Sequence, residues 1–376
     1  MKNGGIEIQD KISIMLPVFN VEIYLDRVKD SLINQTIGCE NLEIIFVDDC
    51  STDSSGEMID RYAQEYECCK AIHLEENTGG CGEPRNAGME KCTGDYIMFL
   101  DPDDIFMLDT CEKLYNACKE NDADIAFGRF RRIYNDGEVV QKSFSPYMDN
   151  LDEMYPTETL EDANLLNVPN FIWKHLIKKI LFGNDIIKKY NRKEPIDIIK
   201  VKKIEEEPDL FKINPSVWTK IYKRELIINN NIQFIKIGAG EDIAFVVDSF
   251  LKANGIVFLN NYFCYDYFIR NLPNDKSISN NINVNLQVAL LDAYTYCAEI
   301  SKSHGEEISN VIINPHLMHW FNNWKMGSFT KEENKLLIKK LKNLQFIHNK
   351  GFKTKFLIGS MIKIIEISNL FKKNKQ

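Results

Sequence analysis

Short apolar runs alternate with amphipathic stretches over the first hundred residues of the chain. The apolar runs have the length and near-continuous hydrophobicity of strands buried in a parallel sheet, and we predict such strands at residues 12–18, 42–47, 71–74 and 96–100. The stretches between them carry apolar residues at helical spacing, which predicts helices at residues 21–33, 54–66 and 84–91. This alternation indicates an α/β fold built from βαβ units around a mostly parallel central sheet.

The pattern changes beyond residue 150. Residues 150–213 are rich in Lys, Glu, Ile and Asn, and we interpret them as an insertion or a separate subdomain. Compact-domain patterning or helical spacing returns after them, at residues 215–228, 237–258, 283–300 and 336–347. We therefore predict one α/β domain over residues 1–280 and a helical region over residues 281–376.

Acidic side chains follow two of the predicted strands. Asp49 follows the second strand, and Asp101 and Asp103 follow the fourth. Because ligands of open α/β sheets bind at the carboxyl ends of strands, these carboxylates are candidates for holding Mg²⁺ or Mn²⁺ and a ribose. The alternative is an ordinary strand-end turn, in which Asp and Pro are common, with Asp53 or Ser54 capping the next helix.

Two further segments carry candidate chemistry. The glycine-rich residues 79–88 lack the Lys-Ser/Thr pair of a P-loop, but Arg85 near the predicted helix start is suited to hold a diphosphate or to orient acids, unless it is a surface Arg. Glu241 and Asp242 precede an apolar helix, where a carboxylate serves either as a helix cap or as a general base. The isolated aromatic and cationic residues nearby are Trp218, Lys220 and Arg270.

Charge and cysteine usage narrow the classes of function. Residues 1–150 hold 14 Lys/Arg against 30 Asp/Glu, whereas residues 331–376 hold 12 against 3. The overall charge of −9 argues against nucleic acid as a partner. No two of the ten cysteines form a C-x-x-C pair, which argues against a zinc site, and the pair His316/His319 lacks a recognisable third ligand.

The sequence predicts neither a signal peptide nor a membrane span. Residues 1–9 lack the apolar core of a signal peptide, and no apolar run reaches the roughly 18 residues of a membrane span. These features predict a cytosolic chain with reduced thiols. The basic, apolar residues 351–376 predict a helix that either lies on the inner face of an anionic membrane or packs on the core or on a second subunit.

The motifs together resemble those of the family 2 inverting glycosyltransferases with the GT-A fold, of the bacterial surface-polysaccharide type. The resemblance rests on Pro17-Val18-Phe19-Asn20, on the acidic segment at residues 47–53, on Pro84-Arg85-Asn86-Ala87-Gly88, on the D-x-D segment at residues 99–104, and on Gly240-Glu241-Asp242. It extends to about residue 280. Some 140 residues separate Asp103 from Asp242, which is more than is usual in the family. The extra length falls in residues 150–213, which are then either an insertion or a subdomain on the acceptor side.

The resemblance implies metal-assisted transfer of a sugar from a UDP-sugar to an acceptor hydroxyl of a polysaccharide, a teichoic acid or a lipid-linked glycan. It implies Mn²⁺ or Mg²⁺ as the cofactor, Asp103 as a metal ligand and Asp242 as the catalytic base. The residues implied to bind the nucleotide-sugar are Pro17, Phe19, Asn20, Asp49, Asn77, Arg85 and Asp101. Candidate contacts to the acceptor or the diphosphate are Trp218, Lys220, Glu241 and Arg270.

Two other classes of function fit parts of the pattern. A sugar-nucleotide nucleotidyltransferase has a similar sheet, but it would need a glycine-rich loop with Arg or Lys directly after the first strand, where this chain has Pro17-Val18-Phe19-Asn20. A non-catalytic nucleotide-sugar-binding or scaffold protein is the non-enzymatic alternative, against which the complete set of acids argues. The sequence leaves the donor sugar, the acceptor and the formation of a homo-oligomer open.

Overall fold

The computed structural model describes residues 10–133, 139–143, 197–213, 215–269, 282–347 and 352–371. The predicted insertion is therefore described only from residue 197 onward, and Arg270 lies outside the described residues. The strands in this part of the chain are β1 (Ile12–Val18), β2 (Leu42–Asp48), β3 (Cys69–His73), β4 (Tyr96–Phe99), β5 (Ile105–Phe106), β6 (Ile125–Ile133), β7 (Val139–Ser143), β8 (Asp197–Val201), β9 (Lys220–Lys223) and β10 (Ile256–Phe268).

The helices fall into two groups. Those of the α/β part are α1 (Glu22–Ile33), α2 (Ser55–Glu65), α3 (Gly82–Lys91), α4 (Thr110–Asn121), α5 (Arg224–Asn229) and α6 (Glu241–Lys252). Those of the C-terminal part are α7 (Val284–Ser301), α8 (Glu306–Met326), α9 (Lys331–Ile347) and α10 (Phe352–Phe371). The seven elements predicted for the first hundred residues are all present, with ends that shift by no more than about two residues.

The strands form one mixed sheet in the order β3-β2-β1-β4-β9-β6-β10-β5. Strands β3, β2, β1 and β4 run parallel, and β9 is antiparallel to both of its neighbours, β4 and β6. Strand β10 runs parallel to β6, while β5 and β8 pair with it in the antiparallel direction. The parallel half therefore ends its strands at one edge, where its loops meet.

Alternate residues of the central strands face opposite sides of the sheet, and both sides are covered. On β1, Met15 packs into a cluster with α3, α6 and the C-terminal helices, whereas Ile14 and Leu16 pack against α1, α2 and α4. On β4, Phe99 and Met98 divide in the same way. Burial on both faces explains why these strands read as near-continuous apolar runs.

The C-terminal helices pack onto the α/β part through the first of these clusters. The Trp320 indole of α8 donates a hydrogen bond of 2.9 Å to the Gln287 carbonyl of α7, and Trp324 donates one to Asn334 of α9. The apolar stripe of α10 is buried, with Ile358 and Ile365 fully enclosed. The sequence-based division at residue 280 stays a prediction. No helix in the described ranges combines the length and the hydrophobicity of a membrane-spanning segment.

The prediction that all thiols are reduced is wrong for one pair, because Cys39 and Cys68 form a disulfide with their Cα atoms 6.1 Å apart. Cys39 lies in the short turn that leads into β2, and Cys68 directly precedes β3. Since β2 and β3 are parallel neighbours, their leading segments meet at the edge of the sheet opposite the strand-end acids. The other eight cysteines are free.

Candidate active site

The carboxyl ends of β1 and β2 bring together the first group of predicted nucleotide ligands. The backbone N–H of Asp49 donates to the carbonyl of Val18 at the end of β1. The Asn77 amide donates to the backbone carbonyl and the carboxylate of Asp49, at 3.0 and 3.2 Å, and the Thr78 backbone N–H donates to the same carboxylate at 2.9 Å. Asp49 and Asn77 thus form one polar cluster at the carboxyl end of β2.

The loop after β1 lies on the surface beside that cluster. Pro17 is the penultimate residue of β1, and the Phe19 side chain is 44% exposed. Asn20 has a positive φ of 52°, and its amide oxygen accepts a hydrogen bond of 2.8 Å from the Thr52 backbone N–H. Asn20 therefore joins the loop after β1 to the loop after β2, and Phe19 presents an aromatic ring of the kind on which a nucleobase stacks.

Arg85 links two carboxylates from distant parts of the chain. It lies in the first turn of α3 and is only 2% exposed. One terminal nitrogen of its guanidinium lies 2.5 Å from an oxygen of Asp242, and the other lies 2.5 Å from an oxygen of Asp101. Gly82 permits this arrangement, because a Cβ there would lie 3.2 Å from the Cβ of Phe234 and 3.4 Å from the Cγ of Glu241. The alternative of a surface Arg is therefore wrong.

The two acids at the start of α6 share this cluster. Gly240 precedes the helix with a φ of 84°, and a Cβ there would lie 2.9 Å from the Cβ of Ala293. Burial raises the pKa of Asp242, although the Arg85 guanidinium opposes the rise. Burial and the charge of Asp242 raise the pKa of Glu241 to about 7. The Asp242 carboxylate thus engages Arg85, and no side chain caps α6.

The loop after β4 separates three acids by environment. Asp101 pairs with Arg85, Asp103 is half-buried, and Asp104 is fully buried. Asp104 accepts hydrogen bonds from the Tyr265 hydroxyl at 2.8 Å and the Phe268 backbone N–H at 2.7 Å. Burial, with the charges of Asp103 and Asp101, holds the pKa of Asp104 well above its usual range. Asp104 therefore anchors this loop to β10. The sequence pattern does not single it out among the three acids.

The donor set fits a cation that is completed by a ligand. Asp101 and Asp103 supply oxygen donors, which hard cations such as Mg²⁺ and Mn²⁺ prefer. Among the described residues, no group of three or more His, Cys, Asp and Glu side chains is arranged to hold a metal. Within the described part of the chain, the pair His316/His319 likewise has no third protein ligand. Such a cation would therefore need oxygens from its substrate, as Mg²⁺ sites formed by one or two carboxylates commonly do.

Two of the candidate contacts lie behind the cluster. Trp218 is 6% exposed, and its ring stacks on Tyr265 with the centroids 4.1 Å apart. The Lys220 ammonium is fully buried and donates to the carbonyl of Ser216 at 2.6 Å. Lys220 therefore lies in the interior rather than on the open face, because β9 directs its side chain under the turn that precedes it.

Comparison with known proteins identifies one domain of the chain. The model of the family described as Glycosyl transferase family 2 matches residues 13–175. The chain carries a glycosyl transferase family 2 domain. The match covers every element from β1 to the described part of β7, and with it Asp49, Arg85, Asp101 and Asp103.

Relatives and solved structures agree with this domain. The chain is 31% identical over 259 residues to the poly(ribitol-phosphate) beta-glucosyltransferase of Bacillus spizizenii, which covers 69% of this chain and 32% of the relative. It is 30% identical over 269 residues to the cholesterol galactosyltransferase of Borreliella burgdorferi, which covers 72% of this chain and 63% of the relative. The chain thus spans between about a third and two thirds of these relatives.

The crystal structure of residues 1–349 of Staphylococcus aureus TarS in complex with UDP-GlcNAc superposes with a TM-score of 0.69. The two sequences are 21% identical, and the match covers 96% of this chain and 89% of the other. At this identity the likeness shows the fold alone. The prediction of a GT-A fold with a helical C-terminal region is confirmed.

Proposed function

We propose that this chain is an inverting glycosyltransferase that moves a sugar from a UDP-sugar to a hydroxyl of a polyol-phosphate polymer. The observation that carries the proposal is the position of Arg85, which joins Asp101 of the D-x-D loop to Asp242 at the start of α6. The buried Arg85 guanidinium thus brings Asp101, a carboxylate suited to bind the donor, next to Asp242, a carboxylate suited to activate the acceptor. The names of the Bacillus relative and of Staphylococcus aureus TarS, poly(ribitol-phosphate) glycosyltransferases, support this acceptor class.

The donor would bind along the carboxyl ends of β1, β2 and β4. Phe19 would stack on the uracil, with Pro17 and Asn20 shaping the loop around it, while Asp49 and Asn77 would hydrogen-bond the base. The Arg85 guanidinium would approach the diphosphate, for which a planar cation with several N–H donors is well suited. Asp101 would then lie between Arg85 and the ribose.

The metal part of the proposal rests on Asp103 and Asp101. These carboxylates would hold Mn²⁺ or Mg²⁺ against the donor phosphates, and the cation would offset the charge that builds on the leaving diphosphate. A mannosyltransferase from Pyrobaculum calidifontis, whose structure contains GDP-Man and Mn²⁺, has the same general fold, with a TM-score of 0.51 at 13% identity. The chemistry of the donor set, rather than this distant likeness, supports the assignment.

Asp242 would act as the base. Its carboxylate accepts the proton of the acceptor hydroxyl while the acceptor oxygen forms a bond to the anomeric carbon from the face opposite the diphosphate. The bond between the anomeric carbon and the diphosphate oxygen breaks, and UDP leaves with that electron pair. The raised pKa of Asp242 strengthens this role, because a base whose pKa lies nearer the working pH accepts a proton more readily.

The alternatives have less support. A nucleotidyltransferase would need a glycine-rich basic loop after β1, where the structure has Phe19 and Asn20 in a polar turn. A non-catalytic binding protein would not need Asp242 held against Arg85 in the interior. Turnover separates the three functions, since only the first releases UDP from a UDP-sugar and transfers its sugar.

We also propose that the chain works at the inner face of the cell membrane. The apolar stripe of α10 is buried, so the surface that remains consists of the exposed side chains of α9 and α10, which we call the α9–α10 face. It presents five lysines and two glutamates among large apolar side chains: Lys335, Lys339, Lys342, Lys355, Lys363, Glu332, Glu366, Leu336, Phe346, Phe356 and Leu370. Lysines interleaved with aromatic residues suit an anionic lipid surface.

The experiment that tests the catalytic proposal measures UDP release by the purified chain. Poly(ribitol phosphate) is offered with UDP-glucose, UDP-N-acetylglucosamine or UDP-galactose, in Mn²⁺, in Mg²⁺ and in EDTA. We expect release of UDP with one donor, stimulation by the polymer and loss of activity in EDTA that added Mn²⁺ restores. Absence of turnover with every donor and both metals contradicts the proposal, and full activity in EDTA contradicts its metal part.

A further inference from the structure

A buried lysine lies directly behind the proposed base. Lys220 is the first residue of β9, and none of its surface is exposed. Its ammonium donates to the Ser216 carbonyl at 2.6 Å and to the Thr219 hydroxyl at 3.4 Å. It also lies 5.3 Å from the ring centroid of Phe127 and 5.9 Å from that of Phe250. The lysine side chain thus folds back onto the turn that precedes its own strand.

This position is unfavourable for a charge. Transfer of an ammonium group from water to an apolar environment costs several kcal/mol in real proteins, and burial lowers the pKa of Lys220 to about 7. Methionine has a similar length and no such cost, so stability alone does not account for a lysine here.

The turn held by Lys220 touches the reactive cluster at two points. The turn packs against the start of α6, where the Val217 backbone N–H faces the Asp242 carboxylate. The next residue, Trp218, stacks on Tyr265, whose hydroxyl lies 2.8 Å from Asp104 and 3.4 Å from the Asp101 backbone nitrogen. The turn at residues 217–219 therefore supports the base directly and the D-x-D loop through Tyr265.

We propose that Lys220 is a positioning residue of the transfer reaction. By holding the carbonyl of Ser216, its ammonium fixes the turn at residues 217–219 and so sets the orientation of the Asp242 carboxylate towards the acceptor. Lys220 itself touches no substrate, because it is enclosed by Phe127, Phe250 and the turn. This inference rests on the proposed function, in which Asp242 is the base.

The decisive variant is Lys220→Met, which keeps the length of the side chain and removes its N–H donors. Misplacement of a reacting group by about 1 Å costs on the order of 100-fold in rate, so we expect kcat to fall about 10- to 100-fold. The KM for the UDP-sugar and the affinity for UDP, measured by calorimetry, should stay within twofold of the original chain. The melting temperature should stay the same or rise, because a desolvated charge is removed.

The matched control is Lys212→Met. Lys212 is also a buried lysine, but its ion-pair partner is Asp209, at 2.8 Å. Its kcat should equal that of the original chain. If Lys220→Met does not fold, Lys220→Gln replaces it, with a shorter neutral donor and a smaller loss of kcat at unchanged KM expected.

Two results would overturn the inference. One is a kcat of Lys220→Met, or of its substitute, within twofold of the original. The other is a parallel fall in melting temperature, UDP affinity and kcat, which marks a purely structural role. Asp242→Asn, measured alongside, separates this inference from the proposed function: if Asp242→Asn keeps full kcat the proposed function fails, whereas an inactive Asp242→Asn beside a fully active Lys220→Met refutes Lys220 alone.

Discussion

The carboxyl ends of β1, β2 and β4, which we call the acidic edge, hold their key charges buried, whereas the basic α9–α10 face holds its charges exposed. At the acidic edge, Arg85 is buried between Asp101 and Asp242, with 2.5 Å contacts to both. On the α9–α10 face, Lys342 lies 3.9 Å from Glu366 with both side chains about half exposed. Burial, rather than net charge, therefore decides what a charged group does in this protein. Buried charges are held in one orientation, which suits chemistry, whereas exposed charges create a field that attracts an oppositely charged partner.

The two regions therefore differ in what one substitution costs. Removal of one partner from a buried ion pair costs roughly 3–5 kcal/mol, because the remaining charge loses its compensation. An exposed pair contributes about 0–1 kcal/mol and is weakened further by salt. Substitutions in the two regions thus test the comparison directly, and the largest effects should come from the acidic edge.

The largest expected effect is that of Asp242→Asn. The amide cannot accept the acceptor proton, so we expect kcat to fall about 1,000-fold, within the range for loss of a general base. UDP affinity should fall much less than kcat, because Asp101 still holds Arg85, the proposed diphosphate contact. Initial rates of UDP release measure the effect. Asp248→Asn, on the same helix beside Lys252, is the control and should stay active.

Arg85→Gln should lower both stability and activity. It leaves the Asp101 and Asp242 carboxylates without their shared cation, so we expect the free energy of unfolding to fall by about 3–5 kcal/mol. Urea denaturation followed by tryptophan fluorescence measures this change. Arg61→Gln, at an exposed position of α2, should change stability by less than about 1 kcal/mol. Equal free energies of unfolding for the two variants would show that Arg85 does not hold Asp101 and Asp242 together.

Loss of the disulfide should affect stability without affecting the site. Cys39 and Cys68 are separated by 29 residues and lie at the edge of the sheet opposite Asp101. A double substitution of both by Ser should lower the free energy of unfolding by about 2–4 kcal/mol and leave kcat unchanged below the melting temperature. Cys50→Ser, which removes an exposed free thiol, should leave stability unchanged. A large loss of kcat in the folded double variant would contradict this expectation, because it would show that the disulfide affects the active site at the opposite edge of the sheet.

The smallest effect should come from the α9–α10 face. Lys339→Gln with Lys342→Gln should weaken binding to vesicles of equal parts phosphatidylglycerol and phosphatidylcholine by about 2 kcal/mol, roughly 30-fold, because each lysine near such a surface contributes about 1 kcal/mol. Vesicle co-sedimentation measures the effect. The control pair, Lys200→Gln with Lys202→Gln, is exposed elsewhere and should bind as before. No binding of the original chain would remove this surface as a membrane contact.

Local pattern was enough to predict the parallel half of the sheet. The bounds of β1 agree with the prediction at both ends, because a run buried on both faces has no polar position to obscure it. Most of the candidate site also follows from this half, since parallel strands bring Asp49 and Asp101 to one edge. Asp242 joins them only through Arg85, and no spacing along the chain indicates a contact across 157 residues.

The rest of the structure depends on contacts that local pattern does not carry. Helix α8 escapes prediction because it is buried on most sides and contains Pro315, so it lacks the polar stripe that marks a surface helix. The charge of Lys220 favours a contact with the acceptor or the diphosphate, but antiparallel β9 carries that charge into the interior. The disulfide needs β2 and β3 side by side before Cys39 can meet Cys68.

The most direct test of the central claim, that Asp242 drives a single displacement, is the configuration of the product. The chain is incubated with an α-linked UDP-sugar and poly(ribitol phosphate), and the new glycosidic linkage is examined by proton NMR together with the amount of UDP formed. A single displacement gives a β-linked product with one UDP released for each sugar transferred. An α-linked product would contradict it, because retention requires a step that one base and one displacement do not provide.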